Sequence, residues 1–204
     1  MLVGLVPAGS SIKLWRYRDP TSEHTHIYKV VALRKARELS FVSNPLLAAI
    51  QPQQGTIMRW RMAEESVKAI FYRHPLPWNV HSLHPGQLEV MCYEFLRRRG
   101  IIHALLLPIG RSLLNVDVVG IDRRGRTILA QVTQAPDGAQ VGEKLARLRS
   151  YKGSRARLFF FGPQRLTIED RSVRYIALER VFAWLAHDEK STAYKMLQRM
   201  LSPD

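Results

Sequence analysis

Glu89, Asp117 and Gln131 are oxygen-bearing side chains set in stretches that otherwise read as core. Asp117 lies inside Val116-Asp117-Val118-Val119, where an unpaired carboxylate is costly. Gln131 lies in Ile128-Leu129-Ala130-Gln131-Val132-Thr133 and shares a strand face with Thr133, because side chains alternate along a strand. Glu89 borders the apolar stripe of a helix, level with Cys92, Tyr93 and Leu96. Two carboxylates and an amide carbonyl are hard oxygen donors of the kind that suit Mg2+, which keeps several waters and needs only one or two carboxylates from the protein. Such an ion polarises a phosphate and lowers the pKa of an attacking water. Taken singly, Asp117 reads as a core-edge carboxylate satisfied by an amide or an arginine, Glu89 as a surface helix acid, and Gln131 as nothing in particular. The chemistry rests on the three together.

The elements that must position them follow from periodicity and punctuation. Pro85 opens a helix where its missing N–H costs nothing. Leu88, Met91, Cys92, Phe95 and Leu96 form the apolar stripe of that helix, and Gly100 ends it after Arg97, Arg98 and Arg99. Residues 113–121 read as a strand, 122–126 as a turn centred on Gly125, and 127–134 as the returning strand, which sets Asp117 near Gln131 across the ladder. A second helix is expected over 140–151, strands over 157–161 and 173–177, and closing helices over 178–187 and 192–201. This is an α/β layout on a mixed sheet.

That arrangement resembles the PD-(D/E)xK nuclease superfamily, most closely its Mrr-like restriction-endonuclease branch, over residues 84–162. The family pattern has a helical Glu, an Asp in the first hairpin strand, and Glu or Gln, any residue, then Lys in the second. Glu89, Asp117 and Gln131 match its acids and its Gln variant. The resemblance implies a restriction-endonuclease-like core, Mg2+ or Mn2+ held by Asp117, Gln131 and Glu89, and phosphodiester hydrolysis in a restriction or genome-defence setting. The departure is Thr133, which stands at the lysine position and carries no charge. Lys144, on the following helix, is a candidate replacement as the fourth catalytic residue. The alternative is a nuclease fold that has lost catalysis and serves as a DNA-binding or assembly module.

Charge points the same way. Lys and Arg number 31 against 17 acidic residues, a formal net charge of +14, which favours a polyanionic partner through counterion release. Arg123, Arg124 and Arg126 cluster at the hairpin tip, and Arg147, Arg149, Lys152, Arg155 and Arg157 trail the second helix. They form a candidate phosphate-positioning surface for double-stranded DNA, with little sequence preference. An RNA-binding accessory protein is a further reading of the same charge.

Residues 74–85 carry Pro75, Pro77 and Pro85 and read as a linker or an extended connection. The chain then divides into a small β-rich module, 1–80, and an α/β domain, 81–204. In the first, 11–17 and 26–33 read as strands, 44–50 as a short helix and 55–60 as a strand, an arrangement similar to the barrel-like accessory domains of some restriction proteins. Trp15, Tyr17, Trp60 and Trp78 are either core or base-stacking residues. His24, His26, His74, His81 and His84 fit no zinc-finger spacing, and no phosphate-binding glycine loop occurs. A single cysteine excludes an internal disulfide and fits a cytoplasmic setting. The apolar run 101–109 is too short to cross a membrane. The aromatic and apolar residues of 178–201 either cap the core or form an interface with a second copy or a larger partner.

Overall fold

A computed structural model describes residues 2–22, 24–40, 64–110, 113, 116–135, 138–153, 155–166, 168 and 170–202. The expected helix at 44–50, the expected strand at 55–60 and Trp60 lie outside them. The chain divides into two compact units, Met1–Leu76 and Pro77–Ser202.

The first unit is a small β module with one described helix. β1 (Leu2–Leu5) pairs antiparallel with β4 (Arg34–Glu38), and β2 (Lys13–Arg18) pairs antiparallel with β3 (Thr25–Val30). The register of β1 against β4 shifts between Val3 and Leu5, at Gly4. A Cβ on Gly4 would stand 3.1 Å from Leu33 Cβ and 3.2 Å from the Arg34 carbonyl, so glycine fits the bulge without moving its neighbours. α1 (Glu64–Tyr72) buries Ala69 and Phe71, and the Arg37 guanidinium donates to the Phe71 carbonyl while lying over its ring. Both strands of the β2–β3 hairpin are exposed throughout. Trp15 and Tyr17 are therefore surface residues, not core, because a two-stranded ribbon has no second layer of its own.

In the second unit five strands lie in the order β5 (Ala104–Leu105), β6 (Val118–Ile121), β7 (Thr127–Val132), β8 (Ala156–Gly162), β9 (Val173–Ala177). The pairs β5–β6 and β6–β7 are antiparallel, whereas β7–β8 and β8–β9 are parallel. On one face α3 (Gly138–Ser150) sets Val141, Leu145 and Leu148 against Val119, Leu129, Leu158, Phe160 and Val173. On the other, α2 (Pro85–Arg98) and α4 (Leu178–Ala186) pack together, with Phe95 edge-on to both Phe161 and Trp184. α5 (Thr192–Leu201) packs on α4 and is capped by the Ser191 hydroxyl, which accepts from the Tyr194 N–H. The result is an α/β unit: a mixed sheet with helices on both faces.

From Pro77 onward the proline-rich stretch is an extended connection packed into the second unit. Trp78 packs against Phe182 and Tyr194 with ring centroids 5.5 and 5.2 Å apart, and Val80 and Leu83 are buried. Asn79 caps a short 3-10 turn over Val80–Ser82. Its hydrophobic residues make this segment part of the second unit, and proline only fixes its extended path. His84 caps α2: its ring accepts from the Gly86 N–H, and its own N–H donates to the Gln87 side chain. Burial lowers the pKa of His84, which suits a ring nitrogen that accepts. In the closing helices Val181, Phe182, Leu185, Leu197 and Leu201 are spent on this unit's own core, leaving Trp184 as their large exposed apolar residue.

Candidate functional site

Asp117 and Gln131 meet. The strand over 113–121 is shorter than its sequence suggests: the ladder begins at Val118, and Leu113 and Val116 make only an isolated bridge. Asp117 thus stands at the mouth of β6 rather than within it. Its N–H donates to the Ala130 carbonyl at 2.9 Å, one residue out of the Val118–Ala130 register. Its Oδ2 accepts from Gln131 Nε2 at 2.6 Å and from the Val132 N–H at 2.7 Å.

Gln131 is only 4% exposed. Its Nε2 also donates to the Val132 carbonyl at 3.0 Å. Two acceptors on one side fix which way the amide points. Its Oε1 is buried and has no hydrogen-bond partner among the described residues. A buried carbonyl left unsatisfied is uncommon.

Thr133 and Lys144 come next along the same face. Alternation places Gln131 and Thr133 on the face of Leu129, under α3. Thr133 is buried, and its N–H donates to the Phe161 carbonyl, carrying the ladder one residue past the end of β7. On α3, Lys144 falls between Val141 and Leu148, three and four residues from them, so it shares their inward stripe. Its Nζ donates to Thr133 Oγ1 at 3.0 Å, and that oxygen also accepts the Ala135 N–H at 3.1 Å.

Glu89 approaches from the other layer, on α2. Gly110, at φ 84°, donates its N–H to the Asp117 carbonyl at 2.9 Å. A Cβ on Gly110 would stand 2.7 Å from Glu89 Oε2. The chain therefore passes between Glu89 and the backbone of Asp117 at a residue whose conformation and surroundings both call for glycine. Cys92, one turn after Glu89 on α2, is fully buried. Burial pushes its thiol well up, and the charges of Asp117 and Glu89 push it further. Both carboxylates therefore lie within electrostatic reach of one sulfur. Sequence reasoning missed Gly110; a lone glycine between two apolar stretches was its signal.

The basic residues divide by what they touch. Asp122 is buried at the hairpin tip. Its Oδ1 accepts from the Arg124 and Arg126 N–H groups at 2.9 and 3.0 Å, and its Oδ2 from Arg126 Nε at 2.7 Å. Arg157 stands at 4.0 Å from the same oxygen and over the Phe159 ring. Arg126 and Arg157 are thus tied to Asp122, which holds the turn, while Arg123 and Arg124 remain exposed. Arg147 pairs with Glu143 and Arg149 with Asp170. Lys152 and Arg155 are exposed beyond the end of α3.

Among the described residues no group of three or more His, Cys, Asp or Glu is placed to hold a metal ion, and no helix is long and apolar enough to cross a membrane. Comparison with protein families, curated proteins and solved structures finds no match to the chain.

Proposed function

We propose that the second unit is a restriction-endonuclease-like fold that hydrolyses phosphodiesters in DNA with a divalent cation, Lys144 standing in for the lysine absent at Thr133. The single observation that carries this is the Lys144–Thr133 bond of 3.0 Å beside the Asp117–Gln131 pair. That bond supports the reading because it brings an ammonium to the strand residue that stands where the resembled family has lysine.

The residues present fit a hard cation. Gln131 offers a buried carbonyl with no partner among the described residues beside the Asp117 carboxylate, oxygen donors of the kind suited to Mg2+ or Mn2+, while Glu89 approaches the backbone of Asp117 from the α2 side. When bound, such an ion supplies phosphate polarisation and water activation. The remaining work belongs to the chain. Asp117 holds Gln131 by its Nε2, so that Oε1 is aimed without cost at the moment of binding. Lys144 stabilises negative charge developing on the phosphate or orients a water. The exposed Arg123, Arg124, Lys152 and Arg155 draw the polyanion in.

A second reading has its own observation. Asp117 Oδ2 already takes two N–H donors that tie β6 to β7, as a purely structural carboxylate would. On that reading the unit binds DNA or assembles on it without cutting. Nicking of supercoiled DNA in Mg2+ and in Mn2+ separates the two. The nuclease reading expects cation-dependent nicking that Asp117→Ala and Lys144→Ala each abolish. DNA binding with no nicking in either metal favours the second.

A further inference from the structure

The β2–β3 hairpin of the first unit presents rings in rows. Register pairs Trp15 with Tyr28 and Tyr17 with His26, so alternation puts all four on one face of the ribbon. Ring centroids lie 5.7 Å apart for Trp15 and Tyr28, 5.9 Å for Trp15 and Tyr17, and 6.2 Å for His26 and Tyr28. The interplanar angles, in the same order, are 35°, 37° and 34°, so each ring is tilted against its neighbour to a similar degree. Trp15 is 55% exposed, Tyr28 46% and Tyr17 39%. Large flat side chains left in water at this density mark a binding surface rather than a core.

The charge on the ribbon says what kind of partner fits. The two strands, Lys-Leu-Trp-Arg-Tyr-Arg and Thr-His-Ile-Tyr-Lys-Val, carry Lys13, Arg16, Arg18 and Lys29 and no acidic residue. Among the described residues none of these four cations is in an ion pair. Asp19, in the turn, is engaged by Thr21, whose hydroxyl and N–H both donate to Oδ1, at 2.7 and 2.8 Å. Lys13 shares the ring face, while Arg16, Arg18 and Lys29 start from the reverse. A two-stranded ribbon is narrow, its backbones about 5 Å apart, so long side chains that start from the reverse reach round its edges toward a strand lying on the rings. Stacking rings edged by cations form the combination that binds a nucleic-acid strand whose bases are unpaired.

We infer that the face formed by Trp15, Tyr17, His26 and Tyr28 is a stacking platform for single-stranded DNA. The choice of DNA rests on the function proposed for the second unit; the platform itself rests on the first unit alone. Duplex DNA hides its base faces and gains nothing from these rings. A strand opened or frayed beside a duplex exposes them.

The test measures binding of the full chain to an oligothymidylate, to an abasic strand of the same length and to oligouridylate, without divalent metal so that cleavage plays no part. Trp15→Ala is expected to weaken binding to the thymidylate about tenfold or more, the size of one lost base stack, and to leave the abasic strand within about twofold. Trp15→Phe should keep most of the affinity. Leu14→Ala, on the reverse face and itself exposed, controls for damage to the hairpin and should leave affinity intact. Equal binding of thymidylate and abasic strand by the unaltered chain overturns the platform, as does an equal loss in Leu14→Ala. Tighter binding of the uridylate overturns the choice of DNA. Sedimentation closes the last alternative: if Trp15→Ala dissolves an oligomer and leaves strand affinity unchanged, the face is a contact between copies and the platform is overturned. Because divalent metal is left out, strand binding is read whether or not the chain nicks DNA, so loss of nicking and loss of stacking are read separately.

Discussion

Lys144 donates from α3 to the hydroxyl of Thr133 at 3.0 Å, joining a helix to the strand end that lies beneath it. On the proposed function, a lysine and a threonine eleven residues apart together do the work that one lysine does in the resembled family. The threonine locates the ammonium and the helix supplies it.

The first prediction is a reciprocal pair of substitutions. Lys144→Ala is expected to remove cation-dependent nicking, and Thr133→Lys in that background to restore part of it by placing an ammonium at the strand. Thr133→Lys alone should lower activity, because two ammonium groups then crowd one buried point. Nicking rates of the three variants, with circular dichroism to confirm folding, check this.

At Asp117, stability and charge should come apart. Gln131 Nε2 and the Val132 N–H both donate to the one oxygen Oδ2, and an amide oxygen in that place accepts both as well. Asp117→Asn is therefore expected to melt close to the unaltered chain, yet to bind Mn2+ more weakly in titration calorimetry, since the charge is gone. Asp117→Ala removes the acceptor altogether. Stability should then fall by about 1–3 kcal/mol, the usual result of leaving a buried donor unmet.

Gly110→Ala tests the approach of Glu89. At φ 84° an alanine is strained, costing about 1–2 kcal/mol, and its Cβ would press on Glu89 Oε2. The variant should melt lower. In a Glu89→Ala background the loss should shrink to the backbone part alone, a coupling that a double-mutant cycle reads directly.

Asp122 gives the pH dependence. Burial pushes its carboxyl up, but the N–H and guanidinium of Arg126 and the N–H of Arg124 outweigh burial and hold it below the ordinary 3.8. The unfolded chain therefore binds this proton first as pH falls. The stability from Asp122 is complete above its unfolded value and is lost as pH drops through the folded one. Thermal midpoints measured from roughly pH 6 down to pH 3 should fall less steeply for Asp122→Asn than for the unaltered chain.

The arginines at the same tip should separate by role. Arg123→Ala and Arg124→Ala are expected to weaken duplex binding, each lowering the slope of log affinity against log salt by about 1. Arg126→Ala should instead lower stability by freeing Asp122. Fluorescence titrations across salt, paired with melting curves, distinguish the two effects.

Much of the second unit is legible in the sequence because its signals are local. Pro85 and the apolar stripe from Leu88 to Leu96 mark α2, and Gly125, at φ 72°, marks the β6–β7 turn. Asp117 and Gln131 stand out as polar residues in apolar stretches, and they are bonded. Lys144 carries a signal that is easily discounted, a charge at the inward spacing of Val141, Leu145 and Leu148. What escapes is tertiary. Residues 74–85 look like a linker because proline is visible in a sequence, while the packing of Trp78 on Phe182 and Tyr194 is not. Trp15 and Tyr17 read more readily as core, since the presence or absence of a covering layer does not show in a sequence. β5 is two residues long, too short to show a period.

Cys92 is the molecule's one thiol and has no exposed surface. Only a thiolate reacts readily with alkylating reagents, and this one is kept protonated and out of reach in the native state. Modification must therefore wait for α2 to lift from the sheet, at a rate set by how often that happens. The chain carries its own clock for breathing around Glu89 and Asp117, readable by mass spectrometry without adding a probe.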